Sequence, residues 1–319
     1  MARALKTRLE KMKQNTLTRN NTGQSLDGIV LINKHQSVTS NRLIQDVKKR
    51  FALNKIGHCG TLDPMATGLM ILCLDKGTKV ARYLTGLDKQ YLAVVKLGEE
   101  TDTDDRTGSI IKSSDIQISL QYLKRVLEGF TGEIDQIPPQ YSAIKVSGKR
   151  AYKVARNGSS VELSARKVTI ESCDLIDYEN KRVTLRIKCS KGTYIRSIAR
   201  DLGRQLGSYG HLDSLVREAI GDYTLSDSRC IQDYRDITQA DFQSKCLDLN
   251  EALSFMPNLL VDDSRAKKVM MGQTLSQTMI DGELSRDYPF HKVMDPAGRV
   301  LAVVDYELNY QNVFQYEDI

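Results

Sequence analysis

No two of the six cysteines stand as a C-x-x-C pair; Cys59, Cys73, Cys173, Cys189, Cys230 and Cys246 are scattered through 319 residues. That spacing excludes the common zinc frames and a disulfide scaffold, and it suits free thiols in a reducing compartment. No apolar run approaches the roughly 20 residues of a membrane span. The first 26 residues hold basic side chains without an apolar core segment, so they read as no secretory signal. The Walker loop, G-x-G-x-x-G, H-E-x-x-H and G-x-S-x-G are also missing. Their absence removes the usual nucleotide-binding, dehydrogenase, metalloprotease and hydrolase chemistries. TDTDDRTG (101–108) comes near a calcium loop, but Arg106 takes the third ligand position and the segment reads as a plain loop.

What is present is an ordinary soluble composition, 40% apolar and 27% charged, with a net charge of +6. Residues 1–26 carry Arg3, Lys6, Arg8, Lys11, Lys13 and Arg19 against Glu10, so most of the excess lies in a solvated basic tail. The basic pI therefore says little about nucleic acid by itself. Residues 260–319 hold ten acids and six basic residues, which makes that end no generic phosphate-binding surface. One internal patch differs. Lys145, Lys149, Arg150, Lys153 and Arg156 occur with no acid among them, and Tyr141 and Tyr152 interleave with them. Cations with flat rings are the ingredients of an RNA surface, and composition alone leaves a solvated helix face equally open.

The hydrophobic periods predict a strand over 26–34 and an amphipathic helix over 40–53, capped by Thr39 or Ser40. They predict strands over 89–98, 166–179 and 182–190, the last two paired, and helices over 119–130 and within 191–207. The run MATGLMILCL suits a buried helix or strand equally. From about Met256, short apolar runs separated by turn signals predict a small all-β module, with a boundary near 258. The chain thus divides into a tail (1–26), a main domain (27–258) and a C-terminal module (259–319).

GHCGTLDPMATG (57–68) surrounds one carboxylate with glycines and hydroxyls. Local rules make Asp63 the N-cap of a helix, with Pro64 in its first turn. The other blocks weigh against leaving it there. KQYLAVVKLGEETDTDD, IPPQYSAIKVSGKRAYKVAR, KGTYIRSIARDLG and GHLDSLVRE follow in order. Together the five blocks closely resemble the TruB-type tRNA pseudouridine synthases, from about Leu26 to the C-terminus. The chain departs from that pattern at Asn33-Lys34-His35-Gln36-Ser37, where the family more often has Lys-Pro and then Gly. That departure falls on no catalytic position.

The resemblance implies an α+β fold, with a mixed, mainly antiparallel central sheet flanked by helices and a small C-terminal PUA-like β module. It implies isomerisation of uridine 55 in the tRNA T arm to pseudouridine, without metal or cofactor, on a flipped-out base. Asp63 would be the nucleophile, Tyr91 would pack on the target base and Arg196 would pair with Asp63. Tyr194 and Leu215 would line the uracil pocket, and His58 would lie against the extruded nucleotide. By default each has a plainer role: a core tyrosine for Tyr91, a surface helix residue for Arg196, packing for Tyr194 and Leu215, a loop histidine for His58. Residues 136–165, with Lys145, Lys149, Arg150 and Lys153, become an RNA clamp. The partner is the tRNA T stem-loop; the enzyme is a cytoplasmic monomer needing no membrane and no protein partner. Two alternatives share the scaffold: a guide-RNA-dependent pseudouridine synthase, and a non-catalytic tRNA-binding or folding factor.

Overall fold

Two patterns of apolar residues divide the strands of the main sheet. GIVLINK and TGLMILCL are nearly continuous apolar runs, whereas KQYLAVVKL and RVTLRIKC alternate, and continuous runs bury both faces of a strand while alternating ones bury one. A computed structural model of the chain describes residues 26–142, 144–146, 149–150 and 162–316. In it the first pair forms β1 (Gly28–Lys34) and, after β2 (Ile56–His58), β3 (Thr67–Leu74). The second pair forms β4 (Lys89–Leu97) and β11 (Arg182–Cys189). Between them lie β5 (Glu99–Thr101), β6 (Ile110–Ser113), β7 (Gly132–Gln136), the two-residue strands β8 (Lys145–Val146) and β9 (Lys149–Arg150), and β10 (Arg166–Glu179). After them come β12 (Gly210–Ile220), β13 (Tyr223–Thr224) and β14 (Leu247–Asp248).

Among the described residues the principal sheet has ten strands, in the order β14-β1-β3-β12-β4-β11-β10-β7, with β2 on β3 and β13 on β12. Every pairing is antiparallel except β12 with β3. The β10–β11 hairpin turns through Asn180 and Lys181, both with positive φ, as the right-handed strand twist favours. The helices are α1 (Ser40–Arg50), α2 (Ala81–Gly86), α3 (Leu120–Glu128), α4 (Ile195–Gln205), α5 (Gln239–Ser244) and α6 (Leu249–Ala252). Thr39 caps α1 and Ser119 caps α3, each hydroxyl accepting an N–H three residues on. One core joins α1, α3 and α4 to the inner faces of β4, β11 and β12. A second core lies behind β1 and β3 and extends to Val300, Val303 and Phe314 near the C-terminus.

The C-terminal region forms a separate sheet of β15 (Asn258–Leu260), β16 (His291–Met294), β17 (Val300–Val304) and β18 (Tyr310–Val313). The expectation of an all-β module is corrected by α7 (Asp263–Met270). Asp262 caps it, and Ala266 and Val269 face the module's own core. A second correction concerns Asp63, which starts no helix. The Ala66 N–H donates to the Asp63 carbonyl (3.1 Å), closing a turn with Pro64 at its second position, and β3 begins at Thr67. Sheet pairing decides this. Gly68, at φ +108°, lies against the Arg217 backbone of β12, where a Cβ would sit 2.4 Å from the carbonyl oxygen.

Close approach also fixes α4. A Cβ on Gly203 would lie 2.1 Å from the Gly210 nitrogen and 2.2 Å from the Tyr209 carbonyl carbon, both backbone. In an exposed helix, Gly→Ala gains about 1 kcal/mol. Here Gly203→Ala is expected to lose about 3 kcal/mol through overpacking. Urea unfolding measures it, and a stabilised Gly203→Ala protein would remove the close contact of α4 with β12.

Candidate active site

The loop between β2 and β3 is fastened before it presents anything to solvent. The Ser40 hydroxyl donates to the Leu62 carbonyl and accepts from the Leu62 N–H, both at 2.9 Å. The Ser37 N–H donates to the Pro64 carbonyl (2.8 Å). The Lys34 ammonium donates to the His35, Val38 and Pro64 carbonyls (3.0, 2.8 and 3.4 Å). Burial pushes its pKa down to about 8, with Asp63 opposing and Arg217 assisting. The departure at 33–37 falls on none of the expected site side chains, yet it abuts their loop. Ser37, at φ +67°, occupies a left-handed position that glycine adopts more readily.

Arg217 secures the loop from the other side. Its guanidinium, 1% exposed, donates to the carbonyls of Leu69 (2.7 Å), Gly60 (3.1 Å) and Thr61 (3.5 Å). Leu62, Met65 and Ala66 turn inward, which leaves the Asp63 carboxylate, 35% exposed, facing a cavity of about 310 Å3.

Helix α4 brings the counter-charge. Arg196 Nε lies 2.9 Å from Asp63 Oδ2, off the N–H axis, so the contact is an ion pair rather than a directed hydrogen bond. Nη2 donates to Asp63 Oδ1 (3.4 Å) and the Tyr141 carbonyl (3.0 Å), and Nη1 to the Thr103 carbonyl (3.2 Å). Asp105 Oδ2 stands 3.8 Å from Nε. The plain expectation of a surface arginine is therefore corrected: its side chain is only 5% exposed. Four and eight residues on, the pattern repeats. Arg200 pairs with Asp104 (2.9 Å), and Arg204 grips Glu100 with two bonds of 2.7 Å. Burial of Asp104 outweighs its arginines and raises its pKa to about 6, whereas the Arg204 hydrogen bonds hold Glu100 below the usual carboxylate range.

Tyr91, Tyr194 and Leu215 complete the wall around Asp63 and Arg196. Tyr91 is 9% exposed; burial raises its phenol pKa while nearby Arg217 pulls it down. The Tyr194 backbone is held by Gln136, whose amide donates to its carbonyl (3.1 Å) and accepts from its N–H (2.8 Å), and Arg166 lies 4.6 Å over its ring. Lys89, 7% exposed, also lines the cavity, and burial brings its pKa down to about 8. His58 is absent from the wall; its Nδ1 accepts from the Gly60 N–H (3.2 Å). For the expected clamp, only the backbone pairing of Lys145 with Arg150 and of Val146 with Lys149 is given. The side chains of Lys145, Lys149 and Arg150, and the whole of Lys153, lie outside the described residues.

Sequence reasoning missed Asp104, Asp105, Glu100, Lys89 and Arg217. An acid run in a turn-rich segment reads as solvated. The available signal was three arginines spaced by four on one helix face, since burying that face requires acidic partners.

The family described as TruB family pseudouridylate synthase (N terminal domain) matches residues 48–195. The tRNA pseudouridine synthase B of Francisella tularensis subsp. novicida is 44% identical over 229 residues, 71% of this chain and 74% of that protein. The same-named protein of Francisella philomiragia is 43% identical over the same shares. Among solved structures, the chain resembles an H/ACA RNP bound to a substrate RNA containing 2′-deoxyuridine, with a TM-score of 0.70 and 22% identity. That match covers 92% of this chain and 86% of the other. It also resembles a Cbf5-Nop10-Gar1 complex, with a TM-score of 0.69, 21% identity and coverage of 94% and 90%. At such identities the likeness is one of fold.

The chain has four histidines, so their ring protons are separable by NMR. Burial lowers the His58 pKa, with Arg217 adding to it, and burial alone lowers that of His291. Both are expected to titrate below the ordinary imidazole value of about 6.5. Between that value and the lower folded one the unfolded chain binds more protons, so stability rises with pH through the window and falls on acidification. A His58 midpoint at or above the ordinary value would contradict the burial described here.

Proposed function

The chain belongs to the TruB family of tRNA pseudouridine synthases, and on that premise we propose that it isomerises uridine 55 in the tRNA T arm, with Asp63 as nucleophile. As a member of that family it is an isomerase. The reaction breaks the N1–C1′ bond and joins C5 to C1′; one proton leaves C5 and one is gained at N1, so nothing is consumed. Such chemistry needs a carboxylate beside the sugar, a wall that holds the uracil while it turns, and exclusion of water. The observation that carries the reading is that Asp63 is the one carboxylate among the described residues lining the cavity, and that Arg196 pairs with it. Arg196 keeps that acid ionised. Tyr91 packs on the base and serves proton transfer, and Tyr194 and Leu215 flank the uracil.

The target uridine must leave a folded stem-loop, at a cost of a few kcal/mol. The segment 136–165, with Lys145, Lys149, Arg150 and Lys153, clamps the RNA in this reading, and His58 lies against the extruded nucleotide. Residues 27–258 form the catalytic unit, and residues 259–319 act as a PUA-like module toward the distal end of the tRNA. The enzyme works alone in the cytoplasm. Relatives at 44% identity that bear the name tRNA pseudouridine synthase B support this over a guide-RNA-dependent enzyme, and a cavity-facing Asp63 supports it over a non-catalytic factor.

Two sets of variants test the reading. Asp63→Asn is expected to lower single-turnover pseudouridine formation by more than about a thousandfold (about 4 kcal/mol), with tRNA binding near wild type. Retention of activity within about tenfold would return Asp63 to a structural turn. Arg196→Met, folded by circular dichroism, should lose at least about a hundredfold, and Arg196→Lys should recover only part, because a lysine cannot reproduce the planar fork. For the clamp, changing Lys145, Lys149, Arg150 and Lys153 to Ala should weaken tRNA binding and flatten its salt dependence. An unchanged slope in fluorescence anisotropy would make that segment a solvated face.

A further inference from the structure

The cavity is more positive than the pairing of Asp63 with Arg196 requires. Among the described residues five cations line it, Lys89, Arg166, Lys191, Arg196 and Arg217, against the single carboxylate of Asp63. Three are already engaged: Arg196 with Asp63, Arg217 with the loop carbonyls, and Arg166 with the Tyr194 ring and the Gly192 carbonyl. Lys89 and Lys191 are different. The Lys89 ammonium donates to the carbonyls of Thr85 (2.7 Å) and Leu87, at the C-terminal end of α2. Those bonds use two of its three N–H groups, and it has no ion-pair partner among the described residues. Helix capping explains them, but an exposed lysine would cap equally well. A buried ammonium without a carboxylate is costly, and an anion entering the cavity offsets that cost.

Lys191 is exposed and has no ion-pair partner among the described residues. It begins a turn in which Gly192 has φ +84°. The Lys191 and Gly192 N–H groups find no acceptor among the described residues. Successive free N–H groups beside a left-handed residue are the makings of an anion-binding concavity.

Strand register says which part of a substrate would lie there. Lys89 precedes Tyr91 by two residues on the same face of β4, about 7 Å along the strand. Cys189 pairs with Lys89 across β11, which places the 190–193 turn at the same end of the cavity. A nucleotide's phosphate stands one sugar away from its base, a span of that order. Resting on the pseudouridine synthase reading above, we propose that Lys89, Lys191 and the backbone N–H groups of Lys191 and Gly192 form a phosphate subsite. It takes a phosphodiester flanking the extruded uridine.

The test uses the full chain and three synthetic T-arm hairpins: all-phosphate, methylphosphonate 5′ of the target uridine, and methylphosphonate 3′ of it. Binding is followed by fluorescence anisotropy and turnover by pseudouridine mapping. Wild type should bind one of the two neutralised hairpins about tenfold more weakly. Lys191→Ala and Lys89→Met should each lose about fivefold on the all-phosphate hairpin and almost nothing further on that neutralised one. Losses that multiply in full on both neutralised hairpins would overturn the subsite. Lys191 lies on an exposed turn, so its variant decides the matter even if Lys89→Met fails to fold. Binding reads the subsite whether or not turnover occurs. Wild-type protein that binds the hairpins but forms no pseudouridine would instead count against the proposed reaction.

Discussion

A guanidinium withdrawn from water must find negative charge and carbonyl oxygens to replace its hydration, and Arg196 meets that demand with Asp63, Asp105 and the carbonyls of Thr103 and Tyr141. Those partners come from three separate places in the chain, the β2–β3 loop, the 101–108 loop and the segment after β7, and α4 brings the arginine to them. Satisfying one side chain therefore draws the cavity walls together. The same demand recurs one turn along α4, where buried Arg200 takes Asp104 and the Ile137 carbonyl, and at the next turn the half-exposed Arg204 answers the buried Glu100 instead. Buried ion pairs of this kind give modest net stability, but leaving either partner alone is costly, and that penalises other arrangements of these loops.

Asp63 depends on a second constraint, the immobility of its own loop. Ser40, Lys34 and Arg217 occupy the backbone polar groups of Gly60, Thr61, Leu62 and Pro64 from both sides. The loop carries no regular structure, so these side chains stand in for the ladder it lacks. Two of them are cations: Lys34 lies outside the cavity wall and feels Asp63 electrostatically, and Arg217 lines the same cavity, while Arg196 approaches from α4. The carboxylate thus sits in a positive surround with one face open to the cavity, an arrangement suited to stabilising charge that develops during bond cleavage.

Much of this was legible in the sequence. Strands β1, β4, β10 and β11 and helices α1, α3 and α4 follow from their periods, and the spaced blocks around Asp63, Tyr91 and Arg196 mark residues that meet in space. What the sequence by itself determined was local: period, caps, turns, and the chemistry each block could carry. Only the tertiary structure decided three things. MATGLMILCL became a strand because β1 and β12 flank it and Gly68 admits the backbone of Arg217, overriding the N-cap and proline signals at Asp63. The acids at 100, 104 and 105 became buried partners of α4, although an acidic turn reads as solvated, because helix and loop are nearly a hundred residues apart and period carries no information at that range. Lys89 and Arg217 turned inward from strands whose alternation marks a face as buried but does not say that the buried face borders a cavity.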